Sequence, residues 1–130
     1  YLYPFEAYQR PTSDISSSVH IGATVTVVAL QLALHLGGRD IAVVGCDHNF
    51  ATKGTAHKAV KAEDTDPNHF DPRYFANGVT WQLPDLVESE LYYSRSAQLA
   101  DSVGGRIVNA TDGGKLEVFE RQELPEFLAS

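Results

Sequence analysis

Asp40-Ile41-Ala42-Val43-Val44-Gly45-Cys46-Asp47-His48-Asn49-Phe50 is the stretch whose reading settles the fold class. Ile41 to Val44 form an unbroken apolar run, without the polar alternation of a half-solvated strand, and small and polar residues follow at once. The pattern predicts a central parallel strand buried on both faces. In open α/β sheets ligands bind outside the carboxyl ends of the strands, where loops present polar groups beside a packed sheet. Gly45 lets the backbone turn closely there, and Asp47, His48 and Asn49 bring polar side chains to that edge.

Immediately upstream, Val25 to Leu36 is apolar at nearly every position except Thr26, Gln31 and His35. The length of the run, its Ala29-Leu30-Gln31-Leu32-Ala33-Leu34 core and the Gly37-Gly38 stop predict a helix buried almost all round. His35 is expected to be a packing residue with one satisfied nitrogen. The helix is entered through Ser16-Ser17-Ser18, His20 and Gly22. Free N–H groups and the positive end of the helix dipole suit a phosphate or carboxylate there, with Ser18, His20 and Gly22 as candidate contacts. The same serines serve equally well as simple caps.

Downstream, residues 51–77 carry Lys53, His57, Lys58, His69, Asp71 and several further charges, punctuated by Gly54, Pro67 and Pro72. A connection of that length inside a small domain is either functional or disordered, and Phe70, Tyr74, Phe75 and Trp81 favour docking. We expect a lid over the crevice, spanning about residues 51–82. Pro84-Asp85 opens a second, amphipathic helix from Leu86 to about Val103, with Leu86, Leu91, Ala97 and Leu99 among its apolar positions. Gly104-Gly105 ends it, and Arg106 to Asn109 is a second strand, completing a right-handed β–loop–α–β unit. The loop Asn109-Ala110-Thr111-Asp112-Gly113-Gly114 then reaches the same sheet edge as Asp47 and His48. Leu116 to Phe119 is a short strand or an extended segment, and Leu124 to Leu128 a terminal helical turn. At the other end, Tyr1 to Arg10 reads as an extended arm, either a linker or an edge strand, and Pro4 and Pro11 favour the linker because they restrict ladder pairing.

With 130 residues and 43% apolar composition, the chain has material for one core. A net charge of −7, from 17 acidic and 10 basic residues, argues against nucleic acid and anionic lipid as partners. Cys46 is the single cysteine, and no stretch has the length of a membrane span or the layout of a secretion signal, so a reducing cytoplasmic location is expected. The chain begins at Tyr1 and holds no methionine, the expectation being a piece of a longer protein.

For chemistry, a neutral imidazole near pH 7 is the readiest general base for a hydroxyl, and His48, His57 and His69 lie at or beyond the crevice edge. No histidine pair has helical zinc spacing, Cys46 stands alone, and the loop aspartates sit beside Pro and Asn. No protein-held metal is expected; Mg²⁺ would arrive with a nucleotide. Walker, nucleophile-elbow and Gly-x-Gly-x-x-Gly motifs are missing, which leaves a transferase that works by positioning.

Four segments carry a family resemblance: Gly22 before the apolar helix, Ile41 to Asp47, Lys53-Gly54-Thr55-Ala56-His57, and Ile107 to Gly114. In that order, over residues 16–120, they resemble the Rossmann-like domain of the archaeal hydroxymethylpterin pyrophosphokinase group, which also occurs in motility-associated factor flagellin glycosyltransferases. The chain is distantly similar to bacterial sialyltransferases that use a CMP-activated sugar. The resemblance implies a partial Rossmann-like, doubly wound α/β fold: a parallel sheet flanked by helices, with residues 1–15 as arm or linker and residues 16–130 as the C-terminal part of a transferase domain. It implies a nucleotide or nucleotide-sugar at the strand ends, with Gly22 near it, Asp47 after the central strand, His57 in the Thr-x-His segment, and Asn109 and Thr111 in the Asn-Ala-Thr turn. The expected catalytic set is thus His57, His69 and Asp47. The expected binding set is Ser18, His20, Gly22, Gly45, His48, Asn49, Asn109 and Thr111. The activities implied are glycosyl transfer in surface glycan or flagellin modification, or diphosphate transfer from ATP to a hydroxymethylpterin; a noncatalytic or truncated interaction module is the third expectation. Two parallel strands cannot protect their own edges, so self-association or an upstream domain of the same protein is expected as well.

Overall fold

The computed structural model describes residues 10–50, 54–61 and 80–130. The region up to Asp47 together with Val87–Ser130 forms one compact unit, and His48–Leu86 forms another.

The first unit is mixed α/β. Its order is α1 (Val25–His35), β1 (Asp40–Val43), α2 (Leu86–Ser102), β4 (Arg106–Asn109), β5 (Glu120–Arg121) and α3 (Leu124–Ala129), with β2 (Ala59–Lys61) and β3 (Thr80–Gln82) in the second unit. The sheet runs β1-β4-β5, and both pairings are parallel. The register sets Asp40 beside Arg106 and Val43 beside Asn109, so the strand ends that carry the polar loops come out together. Helices flank this sheet, and a core of Val27, Leu30, Leu34, Val43, Tyr92, Tyr93, Ala100, Ile107, Leu116 and Phe119 joins them to it.

Three expectations are corrected here. Among the described residues the middle strand is β4, with Ile107, Val108 and Asn109 buried, whereas β1 lies at the edge. Accordingly Ile41 and Ala42 are half-buried and Val44 is 59% exposed. An apolar run reports only that a strand is buried somewhere; which strands flank it depends on distant parts of the chain.

The helix α1 buries one face, Val27, Leu30, Gln31 and Leu34, at the i, i+3, i+4, i+7 spacing. Val25 and Leu36 are largely exposed, and His35, in the last turn with Nδ1 3.7 Å from Asp14 Oδ1, has its side chain 36% exposed instead of lying in the core.

The buried stripe of α2 is Ser89, Tyr92, Tyr93, Ser96 and Ala100, and Leu91 is turned out to solvent. Small residues there let the helix approach closely. Ser96 is fully buried because its Oγ donates back to the Tyr92 carbonyl, 2.9 Å away.

Gln31 is completely buried within the apolar face of α1. Its Oε1 accepts from the backbone N–H groups of Thr12 and His20, and its Nε2 donates to the carbonyls of His20 and Val27. One amide therefore anchors the segment leading into the helix at two points. Thr24 is the N-cap, accepting from Thr26 N–H.

The second unit contains an antiparallel pair, β2 against β3, in which Val60 faces Trp81. Backbone bonds between His57, Lys58 and Leu83 continue the ladder, and Leu83 is buried. This pairing lies in the stretch expected to be a lid, of which residues 51–53 and 62–79 lie outside the described residues.

Candidate functional site at the strand ends

Parallel pairing in register brings the loop after β1, Val44–Asp47, against the loop after β4, Ala110–Lys115. Ala110 N–H donates to the Val43 carbonyl, Cys46 N–H to Thr111 Oγ1 at 3.0 Å, and Lys115 N–H to the Asp47 carbonyl at 2.7 Å. The approach is so close that a Cβ on Gly114 would stand 2.8 Å from the Asp47 carbonyl oxygen, and Gly114 also has φ +72°. Asp47 keeps an exposed side chain at this seam while its backbone is pinned.

Asn109 and Thr111 are buried, and their polar atoms hold the loop in shape. Asn109 Nδ2 donates to the Leu116 carbonyl at 2.7 Å, and its Oδ1 accepts from Thr111 N–H. Arg121 closes the loop from outside, with its guanidinium on the Gly113 carbonyl at 2.7 Å and on Glu117. These contacts make Asn109 and Thr111 shapers of the strand end.

A polar group that sequence reasoning missed sits beside them. Tyr93, from α2, brings its hydroxyl to 3.6 Å from Cys46 Sγ, with its ring against Phe119. Burial, reinforced by Cys46, pushes the phenol up to about 12, while hydrogen bonds with the Thr24 and Thr26 side chains act the other way. The hydroxyl thus stays protonated throughout the neutral range. Thr24 and Thr26 belong to the first turn of α1, so the helix N-terminus, Tyr93 and the seam between the two loops lie together. The signal was available in principle, since a tyrosine on a buried helix stripe needs a partner for its hydroxyl.

The other expected contacts are distributed around this cluster. Gly22 has φ +54°, a backbone that favours glycine, and a Cβ on it would crowd the Val27 side chain at 3.1 Å. His20 accepts from Gly22 N–H through Nδ1 at 2.8 Å and lies against Tyr92, ring centroids 4.6 Å apart. Burial, and next the charge of Arg95, hold the His20 imidazole below its ordinary value, with Glu88 opposing. Ser18 is exposed in the loop ahead of it, and Gly45 is exposed with φ +72°.

In the second unit, His48 has φ +49°, an uncommon backbone for a residue with a side chain, and Asn49 is exposed. His57, at φ +61°, presents Nε2 3.7 Å from Asp85 Oδ2, with the histidine side chain 65% exposed. His69 lies outside the described residues.

No protein-family model, characterised protein or solved structure matches the chain. What the fold defines is a class: a mixed α/β protein with a three-stranded parallel sheet flanked by helices. No helix among the described residues is long and apolar enough to cross a membrane.

Proposed function

We propose that the chain is a nucleotide-dependent transferase domain of the glycosyltransferase type, acting on a nucleotide-activated sugar. The observation that carries this reading is the grouping of the first turn of α1, Tyr93 and the Cys46–Asp47 and Thr111–Gly114 backbone at the carboxyl ends of two parallel strands. Helix-terminal N–H groups and loop amides at such an edge are the groups that hold phosphates in open α/β sheets. Asp47 is then positioned for the ribose hydroxyls or for a Mg²⁺ brought by the nucleotide.

For transfer to a hydroxyl, we assign the base to His57, with Asp85 as the neighbouring carboxylate that orients it. Pyrophosphoryl transfer from ATP to a pterin alcohol is the second reading, favoured by the exposed carboxylate of Asp47, since that chemistry runs on Mg²⁺ held largely by phosphates. Self-association belongs to the same proposal: among the described residues, the outer edge of β1 has no strand partner.

Thermal unfolding with CMP, a CMP-sugar and Mg-ATP tests the reading. A ligand at a hundredfold over its Kd adds about 2.7 kcal/mol to the folded state. The CMP compounds are expected to raise Tm more than ATP does, and Asp47→Ala to reduce the shift. No rise with any nucleotide at millimolar concentration overturns the proposal. With a donor and acceptor in hand, His57→Ala is expected to lower turnover about a hundredfold to ten-thousandfold with little change in donor binding; unchanged turnover removes His57 as the base.

A further inference from the structure

The turn that leads into α1 is closed by a side chain that titrates. His20 Nδ1 accepts from Gly22 N–H at 2.8 Å, a bond between a side chain and the backbone two residues on. Upstream of the turn, the Gln31 amide grips His20 at both backbone groups, 3.1 Å to its N–H and 2.7 Å to its carbonyl. Downstream, the Thr24 hydroxyl caps α1 through Thr26 N–H. Only Ile21, Gly22 and Ala23 lie between those two anchors, and the imidazole bonds to the middle one.

An acceptor at Nδ1 fixes the state of the ring. A neutral imidazole has one donor nitrogen and one acceptor, so here the proton is carried on Nε2; an imidazolium has two donors and no acceptor. Protonation therefore sets two N–H groups against each other at the Gly22 contact, and no rotation of the ring restores an acceptor. On the side of α2, the ring faces Tyr92, with centroids 4.6 Å apart, and the charges of Arg95 and Glu88. On the side of α1 it has the neutral Gln31 amide. Burial and the charge of Arg95 outweigh the opposing Glu88, so the neutral ring and the closed turn prevail at pH 7. Moving the turn exposes little apolar surface, since Ile21 is already 74% exposed and Ala23 is packed against the core only in part.

We propose that His20 is a pH-operated latch: neutral, it holds residues 21–23 closed through Gly22 N–H, and protonated, it releases them while Gln31 and Thr24 keep the flanking segment and α1 in place. The latch opens as the pH falls through the folded value of His20, which lies below the ordinary 6.5, and closes again above it. It is a property of the turn itself and does not rest on the transferase reading.

The test is an NMR titration of the whole isotope-labelled chain from pH 7.5 to 5. Ring correlations at pH 7.5 should show the proton on Nε2. As the pH falls, the Gly22 amide shift should follow the same curve as the His20 ring, with its midpoint below 6.5. Its protection against exchange, corrected for the intrinsic effect of pH, should drop about tenfold, the consequence of losing one hydrogen bond. Amides of α1 from Val27 to Leu34 should keep their protection. In His20→Gln the Gly22 curve should vanish, and in His35→Gln it should persist unchanged. A proton on Nδ1 at pH 7.5, a Gly22 amide indifferent to the His20 titration, or α1 amides losing protection on the same curve each overturns the proposal. The titration of the parent chain decides the matter even where His20→Gln fails to fold.

Discussion

Gln31 is the residue whose removal should be felt furthest. Four hydrogen bonds converge on its buried amide, and an apolar replacement of similar size leaves the Thr12 and His20 N–H groups and the His20 carbonyl without that partner. Gln31→Leu is therefore expected to cost about 2–4 kcal/mol, read by urea unfolding, even though it makes α1 more apolar. A variant as stable as the parent would show that the clamp contributes nothing. His20 makes a second prediction at this scale. Partial burial, and next the charge of Arg95, favour its neutral ring in the folded chain and hold its pKa below the ordinary 6.5, with Glu88 opposing, while Nδ1 accepts from Gly22 N–H. Between the folded and unfolded values the unfolded chain binds more protons, so stability rises with pH. The contribution is complete above the unfolded value and is lost as pH falls through the folded one. Unfolding free energies from pH 7.5 down to 5 should fall more steeply for the parent than for His20→Gln; parallel profiles would contradict the assignment.

At the scale of elements, Asn109 shows how a strand end is shaped from within. Asn109→Ala removes the bonds to Leu116 and Thr111 together and is expected to cost about 2–3 kcal/mol. Amide exchange should quicken at Thr111 and Cys46, the two ends of the loop seam; unchanged exchange there would mean that the loop holds its form unaided.

The elements differ in how legible they were in the sequence. Both long helices were, because Gly37-Gly38 and Gly104-Gly105 mark their ends and Pro84 precedes the second: the expected spans Val25–Leu36 and Leu86–Val103 exceed the observed ones by a residue each. Strands β1 and β4 were legible as apolar runs and as parallel neighbours. The position of β1 at the edge was not, since hydrophobicity does not encode which strand lies alongside. The three-residue strands β2 and β3 were also missed, being too short to show a period beside Lys58 and Lys61. The buried face of α2 was obscured because it is lined by serines and tyrosines, while the leucine at position 91 faces water. At the candidate site the sequence set Asp47 and the Asn109–Gly114 loop at one sheet edge, and the strand register brings those two loops together. It did not reveal that Asn109 and Thr111 are consumed in shaping that edge, or that Tyr93 reaches it from α2, because both depend on contacts between residues tens of positions apart.

For the molecule as a whole, the central claim is that the first unit holds a nucleotide at the meeting of β1, β4 and the first turn of α1. Among the described residues the outer edge of β1 has no strand partner, which carries a related expectation: light scattering should give a mass above that of one 14.2 kDa chain, and a monodisperse monomer at all concentrations would contradict it. The claim about the site is tested most directly by mapping where a nucleotide touches the chain, through backbone amide shifts during a titration with CMP. Saturable shifts are expected at Gly22 to Thr26, at Gly45 to Asp47 and at Ala110 to Gly114, with little change along α3. Shifts absent from all three segments at millimolar CMP and Mg-ATP, or confined to residues outside them, would contradict the account.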